Sequence, residues 1–195
     1  RCTHLDQIRE LVSVAILPRA TGVELRFTSV GDDAELTREK VMQAIELLKK
    51  DIGAYIVSVG QNSVEHVVAD LLSQSNLTVS TAESCTGGLV AHQLTNISGS
   101  SEYFLGGIVS YSNQVKIAQL NVPEELIEQH GAVSLEVAEA MASGVRKLMR
   151  TDYGVATTGI AGPTGGTEQK PVGLVCFAVS GPHGVTADSI VYLMD

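Results

Sequence analysis

The sequence predicts an α/β protein, a layered α/β/α sandwich on a mixed, partly parallel sheet, preceded by a small α+β subdomain. Three observations carry this expectation. From residue 77 onward, β-favouring runs alternate with helical patterns, as strands and helices do around a partly parallel sheet. Glycine-rich turns recur where those runs stop. Residues 1–60 follow a different order, strand, strand, helix, strand, with a core of about one layer.

In residues 1–60, "LVSVAIL" and "VELRFTSV" are rich in β-branched residues and are separated by Pro18 and Gly22. Val41, Ile45 and Leu48 then recur at helical spacing within 37–51, and "AYIVSV" reads as a returning strand. "GQN" at 60–62 is a break, with Asn62 a candidate N-cap and Glu65 three residues on. Val64, Val67, Val68, Leu71 and Leu72 make the next apolar helical stripe. The expected boundary falls there, giving units of 1–60 and 61–195.

The second unit reads as a strand over 77–81, a helix from about Gly88, a strand "GGIVSYS", a short helix from Asn113 and a helical "PEELIEQHG". A longer helix follows, capped by Ser134, with Val137, Met141, Val145 and Leu148 inward; the strands "YGVATTG", "GLVCFAVSG" and "VTADSIVYL" close the order. Open α/β sheets hold ligands in crevices at the carboxyl ends of their strands, which is where the motif turns fall.

Composition narrows the function classes. With a formal net charge of −9, the chain is a poor partner for nucleic acid, which is gripped by clustered Lys and Arg. Residues 1–60 are near neutral, with eight Lys/Arg against nine Asp/Glu, whereas 61–195 hold five against thirteen. Arg146, Lys147 and Arg150 sit together at one expected helix end, where cations complement the dipole. That leaves Lys116 and Lys170, both in motif segments. No apolar run approaches a membrane span and "RCTHLDQIRE" has no signal-peptide character, so no membrane partner is expected. Cys2, Cys85 and Cys176 are odd in number and far apart, which fits a reducing, cytoplasmic setting. The chain opens on Arg and is read as a piece of something longer.

Three segments carry chemistry. "AESCTGG", residues 82–88, lies between a strand and a helix start and presents Glu83, Ser84, Cys85, Thr86, Gly87 and Gly88. Such a turn suits a nucleophile or an anion site, and equally a helix capped by Ser84 or Thr86. "YSNQVK" offers Tyr111, Ser112, Asn113 and Lys116 after the next strand. "GIAGPTGG" places Gly159, Ala161, Gly162, Gly165 and Gly166 in one loop, followed by Lys170. Its backbone N–H groups suit a phosphate, although a loop joining two strands needs no such role. The loop is neither a P-loop nor G-x-G-x-x-G, and no H-E-x-x-H or paired C-x-x-C supports a metal site.

Together the segments suit acyl transfer. A serine hydroxyl becomes a nucleophile when a base takes its proton, and a lysine made neutral by desolvation is such a base. From the residues alone this reaches a hydrolase or transferase acting on a small phosphorylated compound. Ser84 is the candidate nucleophile, with the helix-start amides after it expected to stabilise an oxyanion, Lys116 is the candidate base, and Lys170 with the 159–166 amides the candidate anion holder.

"TAESCTGG", "YFLGGIVSYSNQVK", "HGAVS" and "GIAGPTGGTEQKPVG" resemble, in order, the C-terminal domain of the CinA family of competence/damage-inducible proteins. The resemblance implies a nicotinamide mononucleotide deamidase, with Ser84 as nucleophile, Lys116 as activating base and Tyr111 near both. It implies no metal or organic cofactor, nicotinamide mononucleotide as small-molecule substrate, and a homo-oligomer. Residues 1–60 are similar to the KH-like tail of that family's N-terminal domain, whose body is absent. No basic-flanked G-x-x-G clamp for RNA occurs there. The family continues past the last strand into an arginine-bearing segment and a helix, whereas this chain ends at "YLMD", so the domain is expected to be truncated. Two readings from other classes stand beside this one: a cysteine enzyme using Cys85 at a helix start, and a binding module or scaffold without turnover. His130 is expected to be structural.

Overall fold

The computed structural model describes residues 3–19, 22–60 and 62–192. The chain divides into two compact units, Arg1–Gln61 and Asn62–Asp195. Cys2 lies outside the described residues.

The first unit contains α1 (Leu5–Leu11), β1 (Ser13–Arg19), β2 (Gly22–Thr28) and α2 (Ala34–Ile52). Strands β1 and β2 form an antiparallel pair, from Ser13↔Thr28 to Arg19↔Gly22. Helix α2 starts at Asp33, whose carboxylate accepts the N–H groups of Glu35 and Leu36 at 2.9 and 3.1 Å. Ile8, Val12, Ala44 and Leu48 form the core, with Phe27 and Val41 against it. Two expectations are corrected. Helix α1 was not anticipated, since a single buried side chain, Ile8, anchors it. "AYIVSV" is not a strand: a 3-10 turn spans Gly53–Tyr55, and Tyr55, Val57 and Val59 remain exposed while Ile56 packs on the core. β-Branched residues favour a strand when a neighbour supplies a ladder, and the β1–β2 pair takes no third strand among the described residues.

In the second unit, α3 (Val64–Gln74) leads into β3 (Val79–Glu83), α4 (Leu89–Thr95), β4 (Phe104–Val109) and α5 (Asn113–Leu120). Then come α6 (Glu124–His130), α7 (Leu135–Met149), β5 (Tyr153–Gly159), β6 (Leu174–Gly181) and β7 (Gly184–Val191). The sheet order is β4-β3-β5-β6-β7. Strand β3 runs parallel to both β4 and β5, whereas β5–β6 and β6–β7 are antiparallel. The expected mixed, partly parallel sheet is therefore present, and helices cover both of its faces.

On one face, Val137, Ala138, Met141, Ala142 and Val145 of α7 bury against Ala82, Ala156, Cys176 and Ala178. Small residues on the sheet let a helix with larger side chains settle closely, and each buried Val or Met contributes about 1.5–3 kcal/mol. Leu148, expected inward, is exposed because Ala138 and Ala142 set the inward stripe. On the other face, Ala69 and Leu72 of α3 meet Val79, Leu94 and Tyr103. Val64 and Leu71 are exposed, so the buried stripe of α3 is turned from the one expected. The cap of α3 is Ser63 rather than Asn62; Ser63 Oγ lies 2.9 Å from His66 Nδ1.

Two strand limits differ informatively from the sequence pattern. Strand β3 starts later than Leu77, since the Thr78 N–H and hydroxyl both donate to the Asp152 carboxylate at 2.8 Å. Strand β4 stops at Val109, since the carbonyls of Ser110 and Tyr111 turn towards Lys116 instead of a strand neighbour.

Candidate active site

Every residue of β3 is buried, and parallel neighbours on both sides fix where its carboxyl end lies. The chain leaves it through Ser84, whose N–H donates to the Thr157 carbonyl at 2.9 Å, tying the turn to β5. Glu83, 1% exposed, folds back under the next helix. Its carboxylate accepts the N–H groups of Gly88, Val90 and Ala91 at 3.0, 3.0 and 2.8 Å. Neither Ser84 nor Thr86 caps that helix. Gly88 is its N-cap, at φ 103°, a conformation that favours glycine. The electropositive start of α4 is thus filled by the protein's own carboxylate. This corrects the expectation that the helix's first amides are open to a ligand.

Ser84 is therefore released from capping and meets Lys116. Helix α5 begins at Ser112, whose hydroxyl accepts the Val115 N–H, and carries Lys116 inward until it is 1% exposed. Lys116 Nζ lies 3.1 Å from Ser84 Oγ and donates to the Ser110 carbonyl at 2.8 Å and the Tyr111 carbonyl at 3.4 Å. No ion pair to Lys116 occurs among the described residues. Burial pushes its amine below the ordinary lysine range, with Cys85 opposing. A neutral amine has two N–H groups and one lone pair. In that form the two carbonyls would take the donors and leave the lone pair for the Ser84 hydroxyl proton.

Cys85 is differently placed. Burial pushes its thiol up, outweighing the pull of the Cys85 and Thr86 N–H groups. Its sulfur packs on Gly159, where an added Cβ would lie 2.9 Å away. Thr86 and Thr157 hydroxyls are 2.6 Å apart, a further link between the turn and β5.

A cavity of about 400 Å³ opens over this pair. Of the residues singled out in the sequence, Ser84, Cys85, Tyr111, Asn113, Lys116, Gly159, Ala161, Gly162 and Gly165 line it. Tyr111, 76% exposed, stands at the mouth. Glu83, Thr86, Gly87, Gly88, Ser112 and Gly166 do not line it. Lys170 is also outside the lining. Its Nζ donates to the His130 and Val133 carbonyls at 2.5 and 2.6 Å, pinning the glycine loop to the 130–133 turn. His130 Nδ1 faces Glu136 at 3.4 Å and does not line the cavity. Ala132, Val133, Thr158, Ile160 and Thr164 also line it and were missed; Thr158 is hidden in an ordinary strand pattern, Ala132 and Val133 in "HGAVS". Among the described residues no three His, Cys, Asp or Glu side chains are grouped to hold a metal ion, and no helix is long and apolar enough to cross a membrane.

The fold and site define an α/β domain with a serine–lysine pair at the carboxyl end of a parallel strand. Residues 61–194 match the profile of the CinA C-terminal domain. A CinA-like protein of Dictyoglomus thermophilum is 48% identical over 172 residues, covering 87% of this chain and 42% of that protein. The competence/damage-inducible protein CihA of Agrobacterium tumefaciens is 42% identical with TM-score 0.64, over 69% of this chain and 84% of that one. A CinA superfamily protein of Escherichia coli is 30% identical with TM-score 0.66, over 73% and 85%. The chain belongs to the CinA family. It spans 42% of the length of the Dictyoglomus relative.

Proposed function

We propose that this chain hydrolyses the carboxamide of nicotinamide mononucleotide, giving nicotinic acid mononucleotide and ammonia. The observation that carries the reading is the buried, unpaired Lys116 amine 3.1 Å from Ser84 Oγ. Ser84 Oγ attacks the carboxamide carbon while Lys116 Nζ takes its proton. The N–H groups of Gly88, Val90 and Ala91 are committed to Glu83 and do not meet the charge on the former carbonyl oxygen. Collapse of the tetrahedral species breaks the C–N bond, and Lys116 returns its proton to the departing nitrogen. Water then attacks the ester, giving one proton to Lys116 as the bond to Ser84 breaks. Lys116 restores that proton to Ser84, and the acid is released.

The 159–165 wall of the cavity is the phosphate side in this reading, and Lys170 acts from behind it by holding the loop's shape. The carboxamide fits the Ser84 end, where the lysine base is shielded from water. A cysteine mechanism is disfavoured by the raised, packed thiol of Cys85. Ammonia release from nicotinamide mononucleotide by the wild type, lost in Ser84→Ala and retained in Cys85→Ala, is the test. Binding without ammonia release would support a non-catalytic module instead.

A further inference from the structure

At the other end of the sheet from Ser84, a second cavity of about 600 Å³ opens between the last turn of α7, the residues leading into β5, and the β6–β7 hairpin. Strand β5 separates the two sites by roughly 20 Å, at about 3.3 Å for each of its residues. Arg146, Lys147 and Arg150 line the cavity, and no carboxylate does. Three of the five Lys and Arg side chains in residues 61–195 thus converge on one concave surface of an acidic unit.

Cations at a helix C-terminus ordinarily complement the dipole. That explains the charge but not what surrounds it. Arg146 Nε is held by the Asp152 carbonyl at 2.9 Å. Lys147 and Arg150 have no ion pair among the described residues. Ser180, 3% exposed, lines the same cavity from β6, and its hydroxyl has no hydrogen-bond partner among the described residues. A buried hydroxyl normally finds a partner in the protein. Its Oγ is not sealed from solvent, as the partnerless Thr81 hydroxyl is, so it opens onto the cavity. Ser143 adds a second hydroxyl on the α7 wall.

We propose that this cavity binds a small phosphate-bearing anion, with Lys147 and Arg150 supplying charge and Ser180 a directed hydrogen bond. A multiply charged oxyanion fits better than a single carboxylate. Three cations meet there, Arg146 facing the Asp152 carboxylate while Lys147 and Arg150 have no ion pair among the described residues, and the cavity size is that of an ordinary small-ligand site, about 300–1,000 Å³. Guanidinium and ammonium donors around phosphate oxygens make the short, charge-assisted bonds that hold such ligands.

The test is calorimetric titration of the full chain with pyrophosphate at fixed ionic strength. A saturable heat that the Lys147 and Arg150 substitutions remove belongs to this cavity and not to the 159–165 wall, so its fate is separable from that of the deamidase reading. Lys147→Gln with Arg150→Gln, both at exposed positions, should weaken binding by about tenfold or more, the scale of losing two charge-assisted contacts. Ser180→Ala alone should weaken it severalfold while leaving thermal stability intact. No saturable heat, or full affinity in the double variant, overturns the proposal. So does tighter binding of a short DNA duplex than of pyrophosphate, which would make the cluster a nucleic-acid contact.

Discussion

Glu83→Gln removes one charge and exchanges one acceptor oxygen for a donor while keeping the side chain's size. In the wild type the two carboxylate oxygens satisfy three helix-start N–H groups. An amide offers one oxygen, so at least one N–H is left facing an NH2 group in a buried site. Hydrogen bonds to a charged acceptor contribute about 1.5–3 kcal/mol each, and a partly buried charge at a helix start adds up to ~2 kcal/mol. A loss of about 3 kcal/mol is the expected net effect, a large share of a total stability of about 5–15 kcal/mol. For a domain of this size that lowers the melting temperature by roughly 10 °C. Differential scanning calorimetry of Glu83→Gln beside an exposed control, Glu102→Gln, reads it directly. Because Ser84 is the next residue, turnover should fall in the variant even where it remains folded. A shift no larger than the control's, with full turnover, would refute the role given to Glu83.

Further outcomes follow from the same geometry. Lys116→Met should raise thermal stability at neutral pH while abolishing turnover, because it removes a buried amine that has no counter-charge. The sign is fixed by linkage: the folded-state pKa of Lys116 is lowered, so its share of stability rises with pH between the folded and unfolded values, and Lys116→Met should lose that slope. Gly159→Ala should cut both stability and turnover, since its Cβ would lie 2.6 Å from the Leu174 carbonyl oxygen and 2.9 Å from the Cys85 sulfur. The Asp152 carboxyl is held below its ordinary value, first by the Thr78 N–H and then by its hydroxyl. The stabilisation is therefore present above the unfolded value of about 3.9 and lost as pH falls through the folded one. Asp152→Asn should flatten the acid limb of the melting-temperature profile, and an unchanged limb would count against it. Lys170→Met should raise the Michaelis constant through loop disorder, more for the phosphorylated substrate than for the unphosphorylated one, because the loop it holds is the phosphate side.

The layered sheet was legible because β5 and α7 carry nearly undisturbed periods, "YGVATTG" and the stripe from Val137 to Val145. The Ser84–Lys116 pairing was legible because so few lysines occur in residues 61–195. What escaped was decided by tertiary partners. "AYIVSV" has strand chemistry but no neighbouring ladder, and the short α1 rests on Ile8 alone. Glu83 gave no sign of its role, because a carboxylate five to eight residues before the amides it accepts matches no local capping pattern. Lys170 looked like an anion ligand in the sequence. That its donors go to two carbonyls about forty residues away depends on long-range packing that spacing does not encode.

The account turns on the buried Lys116 amine giving up its proton more readily than an ordinary lysine. The direct measurement is the pH titration of its side-chain Cε signal by NMR in uniformly 13C-lysine-labelled protein, assigned by its absence in Lys116→Met. The account predicts a midpoint displaced below the ordinary lysine value of about 10.4, matched by a single ionisation in turnover. A midpoint at or above that value, with a turnover profile that does not follow it, would contradict the base assigned to Ser84.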